Sequence, residues 1–225
     1  MLPPFRAVVL DLDGLLLDTE ASYLRAWRRA AEDLGFALDD DLAVRLSGQA
    51  IDRIAQILQQ TFGPRFDFDR FHRLSAAIWR RQVETEGIAT RPGYAALMAT
   101  LQHHGIPYLV ATNSRRPYAQ KCLALAGIEA DVPGLVSRDE VEAGKPAPEI
   151  YQLACERLGQ APRDCLAVED SHTGLLAAAR AGTRPVWIPA AHRPAAATGL
   201  AVAIFDTLEQ LADALSKTLN THNRL

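Results

Sequence analysis

Between Arg6 and Leu12 the chain reads R-A-V-V-L-D-L, a short apolar run of the kind found in strands buried on both faces, and Asp13-Gly14 breaks it. The spacing then changes. From Thr19 to about Thr85 apolar positions recur at intervals of three and four. Tyr23, Trp27, Ala30 and Leu34 trace one helix face, closed by Gly35, with Asp18 or Thr19 as N-cap and Glu20 in the first turn. Ile51, Ile54 and Leu58 mark another helix, set apart from Leu42 and Leu46 by Gly48, and Phe71, Leu74, Ile78 and Gln82 mark a third. No good strand candidate falls in this stretch.

After Arg91-Pro92-Gly93 the pattern alternates. Helix 94–104 precedes strand Tyr108–Ala111, and helix 117–126 a short strand near Leu135–Val136. Helix 148–158 precedes strand Cys165–Val168, and helix 173–181 strand Pro185–Ile188. Ala190 to Gly199 reads as a loop, followed by strand Val202–Phe205 and a helix from about Leu208. Strands separated by helices of about ten residues are βαβ units and predict a parallel sheet. The expected fold is α/β: a Rossmann-like parallel-sheet core with helices on both faces, interrupted after its first strand by a helical insertion. Residues 1–17 and 92–225 would form the core and 18–91 the insertion.

Composition narrows the function classes. The chain has 225 residues, 48% hydrophobic and 23% charged, with a net charge of -3, as expected of a globular protein with a core of its own. Its charges form no basic stripe, so no nucleic-acid partner is expected. No segment approaches the roughly 18 apolar residues of a membrane span, and Met1 to Leu10 lacks the pattern of a secretory signal. A soluble, cytoplasmic monomer is therefore expected. Cys122, Cys155 and Cys165 are odd in number and form no C-x-x-C pair, which suits buried thiols in a reducing compartment. Only three of the 24 basic residues are lysines, Lys121, Lys145 and Lys217, so a lysine at a suggestive place carries extra weight.

Four groups of polar residues fall where a predicted strand gives way to its loop, the usual place for ligands in open α/β sheets. Asp11 and Asp13 follow the first strand, Thr112-Asn113-Ser114 the second and Glu169-Asp170 the fourth, and Lys145 lies in the loop after the third. Taken singly, each has a plainer reading: an acidic turn, two helix caps, a solvated loop lysine. Brought together by adjacent parallel strands, they would concentrate negative charge. Such a cluster raises the pKa of its members unless a cation intervenes. Lys145 is one candidate, and a hard divalent metal is the other. Mg²⁺ accepts a few carboxylates and keeps positions for water and substrate phosphate.

Asp11-Leu12-Asp13-Gly14 with Asp18-Thr19-Glu20 resembles the first motif of the haloacid dehalogenase-like (HAD) hydrolases. Thr112-Asn113-Ser114 resembles the second motif and Gly144-Lys145-Pro146-Ala147-Pro148 the third. Val168-Glu169-Asp170-Ser171 with Gly174 resembles the fourth, and all occur in the family's order. The closest pattern is the branch of β-phosphoglucomutase and small sugar-phosphate phosphatases, which carries a helical cap between the first two motifs. The resemblance implies a Mg²⁺-dependent phosphatase acting on a small phosphate ester, a sugar phosphate or a phosphoglycolate-like compound, through an aspartyl-phosphate. Asp11 would be the nucleophile, and Asp13 the acid and then the base. Thr112 would bind phosphate, assisted by main-chain N–H groups near Asn113 and Ser114, and Lys145 would neutralise charge. Asp11, Asp170, the Asp13 carbonyl and Glu169, directly or through water, would hold the metal. Tyr23, Trp27, Gln49 and Arg53 are candidates to line the cap, and Gln49 is an expected substrate contact.

Two alternatives stay open. A β-phosphoglucomutase-type phosphomutase shares every core motif. Its polar cap groups, however, fall at about Tyr23, Ile51 and Leu74 here. A catalytically silent binding module is the other. A dehalogenase would not need Asp13, and a phosphonate hydrolase would need a cap lysine, whereas no lysine precedes Lys121.

Overall fold

The computed structural model describes residues 2–46, 49, 51–189 and 199–222. The boundary at Gly48 and most of the loop from Ala190 lie outside the described residues. Contacts divide the chain into two compact units, Met1–Leu17 with Ala89–Leu225, and Asp18–Ile88.

The first unit is built on a six-stranded sheet. Strands β1 (Ala7–Leu10), β2 (Tyr108–Ala111), β3 (Leu135–Val136), β4 (Cys165–Glu169), β5 (Arg184–Trp187) and β6 (Ala203–Ile204) lie in the order β3-β2-β1-β4-β5-β6. Every pairing is parallel. Val9 of β1 lies opposite Leu109 on one side and Ala167 on the other. Ala7, Val9, Ala111, Val136 and Ala167 pack with Ile150, Tyr151 and Ala154 of helix α7 (Glu149–Arg157) and Ala177 and Ala178 of α8 (His172–Arg180). The alternate residues Val8, Leu10, Val110, Leu166 and Val168 are equally buried, so the sheet is covered on both faces. That coverage explains why its strands read as unbroken apolar runs. Helices α5 (Tyr94–His103) and α9 (Leu208–His222) pack against each other, and α6 (Arg116–Leu125) joins β2 to β3. The strands and helices lie within two residues of the ranges the pattern predicts.

The order reverses its direction of travel at β1. The chain runs outward through β2 and β3, then returns through α7 to β4 on the other side of β1. This is the topological switch point, where the loops after β1 and β4 diverge and leave a crevice at their carboxyl ends.

The second unit is helical: α1 (Thr19–Asp33), α2 (Asp40–Leu46), α3 (Ile51–Phe62) and α4 (Phe68–Glu86). Asp18 is the N-cap of α1, its carboxylate accepting from the Ala21 N–H at 3.3 Å. Of the predicted face of α1, Ala30 is in the core, and Trp27 and Leu34 pack against it. Ser22, Ala26, Ala30 and Ala31 are buried, while Tyr23, Trp27 and Leu34 are half-buried at its margin. Small residues let α1 approach α4 closely, and Tyr23 stacks on Trp79 with ring centroids 4.6 Å apart. Phe36, Phe62, Phe66 and Phe71 anchor the rest of this core, in a run of ring pairs 4.9 to 5.4 Å apart. Among the described residues no helix is long and apolar enough to cross a membrane.

Candidate active site

The sheet itself fixes Asp11. The β1–β4 ladder continues one residue past β1, the Asp11 N–H donating to the Val168 carbonyl at 3.0 Å. The chain then turns tightly, with the Leu16 and Leu17 N–H groups both donating to the Leu12 carbonyl at 3.1 and 3.0 Å. Gly14 makes this turn at φ +87°, and a Cβ there would lie 2.1 Å from Asp170 Oδ2. Two independent reasons therefore require glycine: left-handed backbone and close approach of the loop after β4.

Asp13 faces the loop after β2. Its Oδ2 accepts from the Ser114 hydroxyl at 2.8 Å and from the Thr112 hydroxyl at 3.3 Å, and Thr112 Oγ1 accepts in turn from the Ser114 N–H at 3.0 Å. The same loop grips the one carrying the lysine. Asn113 Oδ1 accepts from the Lys145 N–H at 2.9 Å, and Asn113 Nδ2 donates to the Lys145 carbonyl at 3.2 Å.

Lys145 is buried, so it is not a solvated loop lysine. Its ammonium donates to Asp11 Oδ1 at 2.5 Å, Glu169 Oε1 at 2.6 Å and the Ala111 carbonyl at 2.9 Å, which uses all three protons. Glu169 is fully buried and its Oε1 also accepts from the Tyr151 hydroxyl at 2.5 Å. Its Oε2 accepts from the Ser171 hydroxyl at 3.1 Å, and that hydroxyl caps α8 by accepting from the Gly174 N–H, also at 3.1 Å. A Cβ on Gly174 would fall 1.9 Å from the Glu169 carboxyl, so the helix start must be bare where this carboxylate lies against it. The Trp187 indole donates to the Asp170 carbonyl at 2.9 Å.

Burial pushes the Asp11 carboxyl up, to about 8, with Glu169 and Asp13 adding to the rise and Lys145 opposing it. Burial alone would pull the Lys145 ammonium down, but Asp11 and Glu169 outweigh it and hold its pKa above the ordinary lysine value. The Lys145 ammonium thus stays charged, while burial holds the Asp11 carboxyl above the ordinary carboxylate range even beside it. Among the described residues, Asp11, Glu169 and Asp170 offer carboxylate oxygens that lie within 4.8 Å of one another. An all-oxygen donor set of three carboxyl groups beside a single ammonium fits a hard divalent cation.

The predicted residues at the four strand ends therefore come together in one place. Gln49 belongs to the helical unit, as do Tyr23, Trp27 and Arg53; it is exposed, its N–H donating to the Leu46 carbonyl at 3.2 Å. Arg116 donates to Glu140 and to the Leu135 carbonyl, at 2.5 and 2.8 Å, while Arg115 is exposed. His172 opens α8. Two contacts were not foreseen. Tyr151, in the first turn of α7, lies beneath the Lys145 ammonium, which is 4.9 Å from its ring centroid. The side chain of Asn113 binds main chain. In the sequence only the hydroxyl of Tyr151 points to a polar partner.

Residues 5–182 match the haloacid dehalogenase-like hydrolase family model, and the chain belongs to that family. Hexitol phosphatase A of Escherichia coli (strain K12) is 32% identical over 187 residues, covering 82% of this chain and 83% of that protein. A phosphorylated carbohydrates phosphatase of Thermotoga maritima is 31% identical over 181 residues, covering 80% and 83%. A HAD family hydrolase from Deinococcus radiodurans R1, solved with phosphate and sodium bound, superposes with a TM-score of 0.83 at 28% identity, covering 95% of this chain and 96% of that one.

Proposed function

We propose that the protein is a Mg²⁺-dependent phosphatase that hydrolyses a small sugar phosphate through an aspartyl-phosphate on Asp11. The carrying observation is the buried Lys145 ammonium shared between Asp11 and Glu169, 2.5 and 2.6 Å away, within a cluster of carboxylates. Two relatives near 30% identity named as sugar-type phosphatases support the substrate class.

Asp11, fixed at Oδ1 by Lys145, attacks phosphorus, and the ester oxygen leaves with the proton that Asp13 carries. The alcohol departs and Asp13 is left as a carboxylate. It then takes a proton from water, whose oxygen attacks the aspartyl-phosphate and releases inorganic phosphate with Asp11 restored. Ser114 holds Asp13 in place for both proton transfers. The Thr112–Asp13 bond is the longest of this set at 3.3 Å, and a phosphate oxygen can take that hydroxyl over. Lys145 balances charge on Asp11 and on the transferring group throughout. Asp11, Asp170 and the Asp13 carbonyl would hold Mg²⁺, with Glu169 beside them. Bound there, the ion supplies the second positive charge that favours ionised Asp11 and neutralises phosphate oxygens.

The test is phosphate release from a panel of hexitol and hexose phosphates, phosphoglycolate and nucleoside monophosphates, with Mg²⁺ and with chelator. Preference for a sugar-type ester, abolished by chelator, is expected. No release from any of them with Mg²⁺ would sink the reading.

A further inference from the structure

The loops after β2 and β3 are joined at the main chain, the Arg138 N–H donating to the Ser114 carbonyl at 3.0 Å, and also through one side chain. Asn113 makes both amide hydrogen bonds to the main chain of a single residue, accepting from the Lys145 N–H at 2.9 Å and donating to its carbonyl at 3.2 Å. This reproduces the exchange between paired strand residues, in a region where the ladder has ended. β2 stops at Ala111 and β3 at Val136. Gly144 is fitted to the same contact: a Cβ there would stand 2.3 Å from Asn113 Oδ1 and 2.4 Å from the Arg138 side chain. The ammonium at the far end of Lys145 must reach three acceptors at 2.5 to 2.9 Å, one of them the Ala111 carbonyl two residues before Asn113.

We infer that Asn113 is a positioning residue, whose side chain locks the backbone of Lys145 so that the ammonium stays on Asp11. The inference rests on the role given to Lys145 under Proposed function. It adds that the residue after Thr112 acts through its amide side chain, independently of any contact its main chain makes with phosphate. Asn113→Ala keeps the main-chain N–H and removes only the clasp. A lysine backbone free to shift by even an ångström loses the alignment that charge neutralisation needs, a displacement worth up to about a hundred-fold in rate.

The experiment is a double-mutant cycle of parent, N113A, K145A and the pair, with melting temperature, Mg²⁺ affinity, hydrolysis of p-nitrophenyl phosphate and affinity for inorganic phosphate measured for each. N113A should lower kcat by about ten- to a hundred-fold, leave Mg²⁺ affinity within about two-fold, and speed hydrogen exchange at the Lys145 amide. In the K145A background the same substitution should change phosphate affinity less than about two-fold, because the group it positions is gone. G144A, whose Cβ displaces Asn113, should lower kcat in the same way and add little to N113A. Equal losses from N113A in both backgrounds would mean a general structural role and would overturn the inference. So would parental kcat in N113A beside an inactive K145A. Parental turnover in K145A itself would instead remove the underlying role of the lysine.

Discussion

In the helical unit the buried polar side chains among the described residues are Thr19, Ser22 and Ser75. Ser22 and Ser75 donate to carbonyls three residues back, at 2.6 and 3.1 Å, within their own helices, and Ser22 also accepts from the Trp79 indole at 2.9 Å, so their partners are all neutral. In the α/β unit the buried set includes Asp11, Lys145 and Glu169, bonded across 134 and 24 residues of sequence. A buried hydroxyl with a neutral hydrogen-bond partner costs little. Removing a charge from water costs several kcal/mol even after relaxation, and a buried pair seldom repays that in stability. The contrast separates a region selected to pack from one that tolerates an energetic penalty for chemistry.

The largest expected effect tests that division at its centre. Asp11→Asn should cut phosphate release at least about a thousand-fold, since the amide cannot attack phosphorus. Its stability should move the other way. The folded pKa of Asp11 is raised from 3.8 to about 8, so without metal the parent loses stability as pH climbs through that window. The amide variant should escape the loss and melt no lower than the parent at pH 8 in chelator. A marked drop in its melting temperature there would contradict the assignment of Asp11 as a group kept at a stability cost.

Next comes the ion. Chelator should remove turnover, Mg²⁺ should restore it, and Ca²⁺ should inhibit, because calcium takes more ligands at longer distance and draws Asp11 away from in-line attack. Full activity in excess chelator would leave the acidic cluster without this role. The mutase alternative is tested in the same assay: β-glucose 1-phosphate with a trace of glucose 1,6-bisphosphate should yield inorganic phosphate. Efficient isomerisation with little release would reverse the reading.

On the packing side, Phe71→Ala should cost about 3–5 kcal/mol, since the ring is fully buried in the aromatic cluster. A shift under about 1 kcal/mol in chemical denaturation would mean that this core collapses around the cavity. The smallest effect belongs to a structural ion network. Glu140 is half-buried, so burial pushes its pKa up, but Arg157, Ser137 and Arg116 prevail and hold it at about 2. Its depressed value contributes stability above the ordinary 4.5, lost as pH falls toward 2. Glu140→Gln should cost about 1–2 kcal/mol at pH 7 and nothing near pH 2. A cost independent of pH would assign the effect to hydrogen bonding alone.

The strands of the sheet were legible because their residues are buried on both faces, which leaves an unbroken apolar run. The four site loops were legible because their residue types follow strands in a fixed order. What escaped depended on partners distant in sequence. No local rule places the Tyr151 hydroxyl on Glu169, since the helix period accounts for the ring whether or not the oxygen is bound. Asn113 reads as a cap residue, yet α6 begins only at Arg116 and the amide turns to Lys145 instead. The most buried positions of α1 escaped for a related reason. Large side chains dominate a periodicity count, whereas the buried residues of this helix include Ser22, Ala26 and Ala31.

Leu17 pairs antiparallel with Thr90, and the Arg91 N–H donates to the Leu16 carbonyl at 2.9 Å, so the outgoing and returning segments run side by side. Antiparallel neighbours can be closed by a turn of two residues. A gene encoding residues 2–17, a Gly-containing hairpin and the chain from Ala89 onward would therefore keep all six strands and every strand-end residue on a shorter scaffold. Such a truncated enzyme would allow the bond-breaking machinery to be assayed separately from the helices that interrupt it.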